Sequence, residues 1–192
     1  METKKLVILS ALMVLLIVLA LAFFKCGGEE KIKPLPLAPT EEVSSSLDEP
    51  RELKVVTLFF ASESDEYLHP EEREIPTDPS VVNQARVIIQ ELLDGPQGAL
   101  LNPFPPETKL RELFVTPAGV AYVDFSREIR DHHMSGSSAE IVTVFSVVNS
   151  LTHNLDPIKK VFILIDGGEK DTLAGHVDLS RPLVPRKDIE AQ

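Results

Sequence analysis

Two near-copies of one phrase stand fifty-four positions apart: Val123-Asp124-Phe125-Ser126-Arg127 and Val177-Asp178-Leu179-Ser180-Arg181. In a strand, whose side chains alternate between faces, this phrase buries Val with Phe or Leu and turns Asp and Ser outward together. The chain is therefore expected to build one kind of polar strand end twice. Asp124, Ser126, Asp178 and Ser180 then serve as structural groups that tie down neighbouring backbone.

The amino terminus restricts where such a fold can sit. Lys4 and Lys5 precede an uncharged run from Leu6 to Phe24, and Lys25 closes it. At about 1.5 Å per residue, this run reaches roughly 28 Å, close to the thickness of a bilayer core. Phe23, Phe24 and Lys25 stand where a cleaved signal peptide needs small residues. The expectation is an uncleaved anchor at 6–24 behind a short cytoplasmic tail at 1–5. A removed signal and a lipidated Cys26 are the alternatives, and Lys25 is a poor neighbour for acylation. One cysteine makes no internal disulfide.

The 192 residues carry a net charge of −11, and beyond Lys25 there are 16 basic against 29 acidic residues. Nucleic-acid binding needs a basic footprint, which is missing. Residues 25–51 hold Pro34, Pro36, Pro39, Pro50 and the Ser44-Ser45-Ser46 run with little apolar periodicity, so they read as a disordered linker. Residues 52–182 form one domain, and 183–192 a tail.

Within that domain, Leu53–Ala61 reads as a strand covered on both faces, and 62–77 as a polar stretch in which Tyr67-Leu68 and Glu74-Ile75 form a small hairpin arm. Asp78-Pro79 starts a helix whose face is Val81, Ala85, Ile88, Ile89 and Leu92, and Gly95-Pro96 stops it. Leu110–Val115 and Val120–Phe125 make a hairpin around Pro117-Ala118-Gly119. Ser137 and Glu140 form a capping box for a second helix with a stripe of Ile141, Val144, Phe145, Val148, Leu151 and Leu155. Ile158–Ile165 and Gly175–Leu179 are the last strands. The fold class is α+β: a single mixed sheet with two helices on one face, ordered β-α-β-β-α-β-β, a split βαβ arrangement.

Candidate chemistry is sparse. Asp131-His132-His133 has metal-ligand residue types, but adjacent histidines diverge in extended chain. Asp166-Gly167-Gly168-Glu169 lacks the spacing of a calcium loop. His176, Asp178 and Ser180 share one strand face about 6–7 Å apart, too far for a nucleophile and its base. No catalytic residue, cofactor or metal is therefore expected. Tyr67, His69 and Arg73 in the polar arm are the candidate contact surface, since loops carry recognition.

Seven segments in order give the chain a family resemblance: Val56–Phe60, Leu92–Pro96, Pro106–Leu110, Gly119–Ser126, Val147–Thr152, Val161–Gly167 and Gly175–Ser180. Together they resemble the GerMN domain of sporulation and spore germination. The resemblance implies a non-catalytic, extracytoplasmic module of the bacterial envelope, similar in fold to ring-building motifs. It implies a single pass through the inner membrane, with an envelope protein or a second copy as partner. The founder carries two such domains and family lipoproteins an acylation box; this chain has one domain and no box. The expected function is a membrane-anchored binding or scaffold module in envelope assembly. A small-ligand sensor or an accessory subunit of a cell-wall hydrolase using Asp124, Asp178 or His176 is the alternative.

Overall fold

Leu53–Phe60 (β1) pairs antiparallel with His69–Pro76 (β2), from Leu53 opposite Pro76 to Phe60 opposite His69. The computed structural model describes residues 52–134 and 136–191. The expected tail, anchor and linker at 1–51 lie outside them. β1 follows from its β-branched and aromatic content. Its first half is not covered on both faces, because Leu53 and Val55 are exposed. In place of the expected small hairpin arm, β2 pairs along its whole length with β1. Three glutamates and a proline at each end of its span hide it, yet Arg73 and Ile75 alternate inward and Leu68 anchors its entry. Proline and charge are tolerated because β2 is an edge strand.

Helix α1 spans Val81–Asp94 and buries Ala85, Ile88, Ile89 and Leu92 with Gln84. Its N-cap is Ser80 rather than Asp78: the Ser80 hydroxyl accepts from the Asn83 N–H at 3.3 Å. Asp78 lies two residues outside, accepting from the Ser80 N–H at 2.7 Å. Gly95 ends the helix at φ 88°, its N–H reaching the Leu92 carbonyl. That left-handed φ favours glycine, and a Cβ there would also press on the Asn102 side-chain amide at 2.9 Å.

Leu110–Val115 (β3) and Val120–Phe125 (β4) form the expected hairpin, with a register shift between Leu110 and Glu112. A short helix α2, Glu128–Asp131, and a long helix α3, Ser137–Asn154, lead to Lys160–Ile165 (β5), which runs parallel to β4. Phe114, Tyr122 and Phe162 lie in one row across this sheet, with ring centroids 4.6 and 5.2 Å apart.

The single sheet is not what forms: β1-β2 is one sheet and β3-β4-β5 another. The reason is α3. Phe59 donates its N–H to Ser150 Oγ at 3.0 Å and accepts from Ser146 Oγ at 2.5 Å. Thr57 donates to Asn154 Oδ1 at 2.9 Å and accepts from Asn154 Nδ2 at 2.6 Å. Two strand residues rise about 6.6 Å and four helix residues about 6.0 Å, so i, i+4, i+8 side chains can meet every second strand residue. The helix thus takes the place of a neighbouring strand. Ala61 continues the same edge, pairing with the Leu101 backbone.

α3 has the expected length, but its burial is not a stripe. Val142, Val144, Phe145, Val147, Val148 and Leu151 are buried together with Thr143, Ser146, Asn149 and Ser150, while Ile141 is only half-buried. Its N-cap is Gly136, with no side-chain cap, so Ser137 and Glu140 form no capping box.

Residues 183–191 are no loose tail. Leu183 and Val161 exchange backbone hydrogen bonds at 2.7 and 2.9 Å, and Leu68 bonds Ile189 and Ala191 at 2.7 and 2.8 Å. Asn149 holds Arg186 through both backbone groups, at 2.9 and 3.0 Å.

Removing the α3 bridge tests this reading. Ser150→Ala strands the buried Phe59 N–H and is expected to cost about 1–3 kcal/mol. Ser137→Ala, at an exposed position with no capping bond, is expected to stay within about 0.5 kcal/mol. Chemical denaturation of the full chain measures both. Equal effects would remove the helix-for-strand account.

Candidate functional site

The most concentrated polar site is built around Glu140 in the first turn of α3, which is fully buried. Its Oε1 accepts the backbone N–H groups of Leu173, Ala174 and Val177 at 3.1, 2.9 and 3.0 Å. Oε2 accepts the His176 N–H at 2.9 Å, with His176 Nδ1 at 3.1 Å. Burial pushes the Glu140 carboxyl up, but these donors outweigh it and hold the group below the usual range. The segment 173–177 therefore wraps an anion supplied by the chain itself. This is why Gly175–Leu179 is no strand: its donors face a carboxylate, and a lone bridge from Thr172 to Asp178 remains. Sequence periodicity missed the site because the partners are 33–37 residues apart.

The two copies of the repeated phrase diverge. Asp124 is 5% exposed rather than turned outward. It accepts from Arg111 Nε at 3.1 Å and from the Gly167 N–H at 2.9 Å. Ser126 and Lys109 exchange bonds, Lys109 N–H to Ser126 Oγ at 3.0 Å and Ser126 N–H to Lys109 O at 2.9 Å. Asp166, at φ 56°, takes Arg111 at 2.5 Å and Arg127 at 3.5 Å. Asp178 is exposed and binds locally, accepting from the Ser180 N–H at 3.0 Å and its hydroxyl at 2.6 Å. Those two bonds hold the Asp178 carboxyl below its ordinary value.

His176, Asp178 and Ser180 are not assembled as a triad, since the imidazole turns to Glu140 while Asp178 and Ser180 bind each other. His132 and His133 part, to Glu107 at 3.3 Å and Thr143 at 2.9 Å. Among the described residues no group of three or more His, Cys, Asp or Glu is placed to hold a metal ion. Nor is any helix among them long and apolar enough to cross a membrane.

Tyr67 and His69 line one depression, but Arg73 does not join them. Tyr67 is 48% exposed, and His69 Nε2 lies 2.9 Å from Asp65. Arg73 is buried and points inward, to Glu71, to the Glu91 carbonyl and carboxylate, and to the Gly95 carbonyl at 3.0 Å. A cation among the last carbonyls of α1 opposes the helix dipole, so its place is structural. The Ser62–Leu68 loop that carries Tyr67 helps wall three adjoining depressions of about 190, 410 and 430 Å³.

Residues 57–171 match the family described as Germane, sporulation and spore germination. No curated protein matches the chain. A 2.5 Å crystal structure of a Clostridium perfringens protein described as a lipoprotein is 25% identical, with a TM-score of 0.50 over 71% of this chain and 89% of that one. The tandem GerMN domains of the sporulation protein GerM from Bacillus subtilis are 20% identical, at 0.57 over 78% of this chain and 51% of that one. The first GerMN domain alone is 20% identical, at 0.53 over 70% and 99%. The likeness to GerM is one of fold.

Glu140→Gln places an amide N–H₂ among donors and is expected to cost about 2–3 kcal/mol. The Glu140 carboxyl is depressed in the folded state, so its contribution is complete above the ordinary glutamate value of about 4.3. That contribution disappears as the pH falls through the lower folded value. Urea denaturation across pH 3–7 is expected to show a steeper acid loss for the wild type than for Glu140→Gln. Asp124→Ala is expected to cost about 1–3 kcal/mol and Asp178→Ala under about 0.5, read by thermal unfolding.

Proposed function

The chain belongs to the Germane family of sporulation and spore germination domains, and from that premise we propose a membrane-anchored module that binds or scaffolds envelope proteins without catalysing a reaction. Leu6–Phe24 anchors it in a bacterial inner membrane, and the domain stands on the extracytoplasmic side. The length of that apolar run supports the anchor. The related lipoprotein, also an envelope-associated type of protein, agrees with the placement.

One observation carries the non-catalytic reading. The carboxylates with the best chemistry are engaged in holding main chain, Glu140 at 173–177, Asp124 at Gly167 and Asp178 at Ser180, and the His176 imidazole is turned to the Glu140 carboxylate. A catalytic group has to face a substrate with an adjustable proton; these carboxylates face backbone donors. What stays available is the rim around Tyr67, with the Ser62–Leu68 loop on one side and Lys187–Glu190 on the other. Binding at such a rim needs shape and charge, and no reacting atom.

The test is made in intact envelopes with the full chain carrying a photo-cross-linker at Tyr67. A discrete adduct, to one envelope protein or to a second copy, is expected, and it should persist in His176→Ala and Asp178→Ala. The protein should stay with the membrane through an alkaline wash and be released when 6–24 is deleted. Cell-wall hydrolysis by the purified full chain that vanishes in Asp178→Ala would overturn the proposal.

A further inference from the structure

The smallest of the three depressions differs from the other two in its walls. It measures about 190 Å³, below the roughly 300–1,000 Å³ of sites for drug-sized ligands. Its lining includes six apolar residues from four separate parts of the chain, Ala61, Leu101, Pro103, Met134, Ala139 and Val142. Val142 is buried at its base, whereas Met134 is 71% exposed at its mouth. Asp65 and Glu66 are exposed at the same cavity, whose other polar walls are Ser62, Asn102, His133 and Ser138. An apolar slot the size of one side chain, edged by two carboxylates, matches a long aliphatic chain that ends in a cation.

The free valences of the carboxylates narrow the cation. Glu66 Oε1 already accepts from Ser138 Oγ at 2.6 Å. Both Asp65 oxygens lie near His69 Nε2, at 2.9 and 3.1 Å. Neither carboxylate offers two unengaged oxygens side by side, as a guanidinium fork requires, so a compact ammonium fits better. Asp65 is held ionised by His69 and the Tyr67 N–H, which lower its carboxyl below the usual range. The stretch of chain that carries them is acidic as a whole: from Glu52 to Asp94 there are ten acidic and three basic residues.

We propose that this cavity receives a lysine side chain of a partner polypeptide, its stem against Leu101, Pro103, Met134 and Val142 and its ammonium at Asp65 and Glu66. The assignment rests on the reading of the domain as a binding module and names the chemistry that one point of contact recognises.

The chain supplies its own reporter, because Met134 is one of three methionines and the only one beyond Met13. Full-length protein labelled at the methionine methyl groups is titrated in detergent micelles, with Met134→Leu identifying the signal. The probes are the blocked peptide Gly-Gly-Lys-Gly-Gly, its norleucine and glutamate counterparts, and butylammonium. The lysine peptide is expected to shift the Met134 methyl saturably, and the norleucine peptide to bind at least about threefold more weakly. The glutamate peptide should leave the signal in place. Glu66→Gln should weaken the lysine peptide by about threefold or more, and Ala139→Leu, which narrows the cavity, should abolish the shift.

Norleucine binding as tightly as lysine would overturn the proposal, because the carboxylates would then play no part. A shift with butylammonium and none with the lysine peptide would also overturn it, in favour of a free amine. If no probe moves Met134 while Tyr67 still cross-links a partner, the cavity assignment falls and the binding-module reading stands.

Discussion

Six polar side chains of α3 reach the main chain of other segments from a helix buried on most of its circumference, and the architecture follows from where they point. Glu140 holds 173–177, Thr143 donates to Pro103 O, Ser146 and Ser150 hold Phe59, Asn149 holds Arg186, and Asn154 holds Thr57. Each bond contributes about 1 kcal/mol net, but a broken one strands a buried partner at about 1–3 kcal/mol. The apolar residues between them supply the drive for burial, and the polar ones fix which segments lie alongside.

The division into two sheets is a consequence of the same helix. A strand edge presents N–H and C=O groups at every second residue, and they must be met by something. On β1, the groups of Thr57 and Phe59 are met by side chains and those of Ala61 by the Leu101 backbone. With that edge satisfied, β1 has no need of the β3-β4-β5 sheet. The other edge of β1 is taken by β2, whose prolines and glutamates make it a poor template for further strands.

The fate of the repeated phrase shows why local similarity does not carry function. Asp124 sits on β4 beside β5, where the turn after β5 brings Gly167 within reach. Asp178 has the same neighbours in sequence but no sheet around it, so it binds two residues away. The Ser62–Leu68 loop brings Asp65 and Glu66 to the edge of the apolar cavity, which is where the proposed lysine contact is made.

The sequence by itself determined α1 with its Gly95 stop, the β3–β4 hairpin, the length of α3 and the β5 strand, because each is encoded by residues that are neighbours along the chain. It also carried the family likeness, the acidic balance and the apolar run at 6–24. It showed β2 only as part of a small hairpin arm and hid its pairing with β1, since the short Arg73–Ile75 alternation is drowned by glutamate and proline, and it offered Ser137 with Glu140 as a cap. Only the tertiary structure decided that Glu140 is an anion for a loop 33–37 residues away, that Arg73 faces α1, and that 183–191 close the domain. The physical reason is common to all three: a polar group takes its role from the donors or acceptors that folding brings to it, and those partners lie far beyond any sequence window.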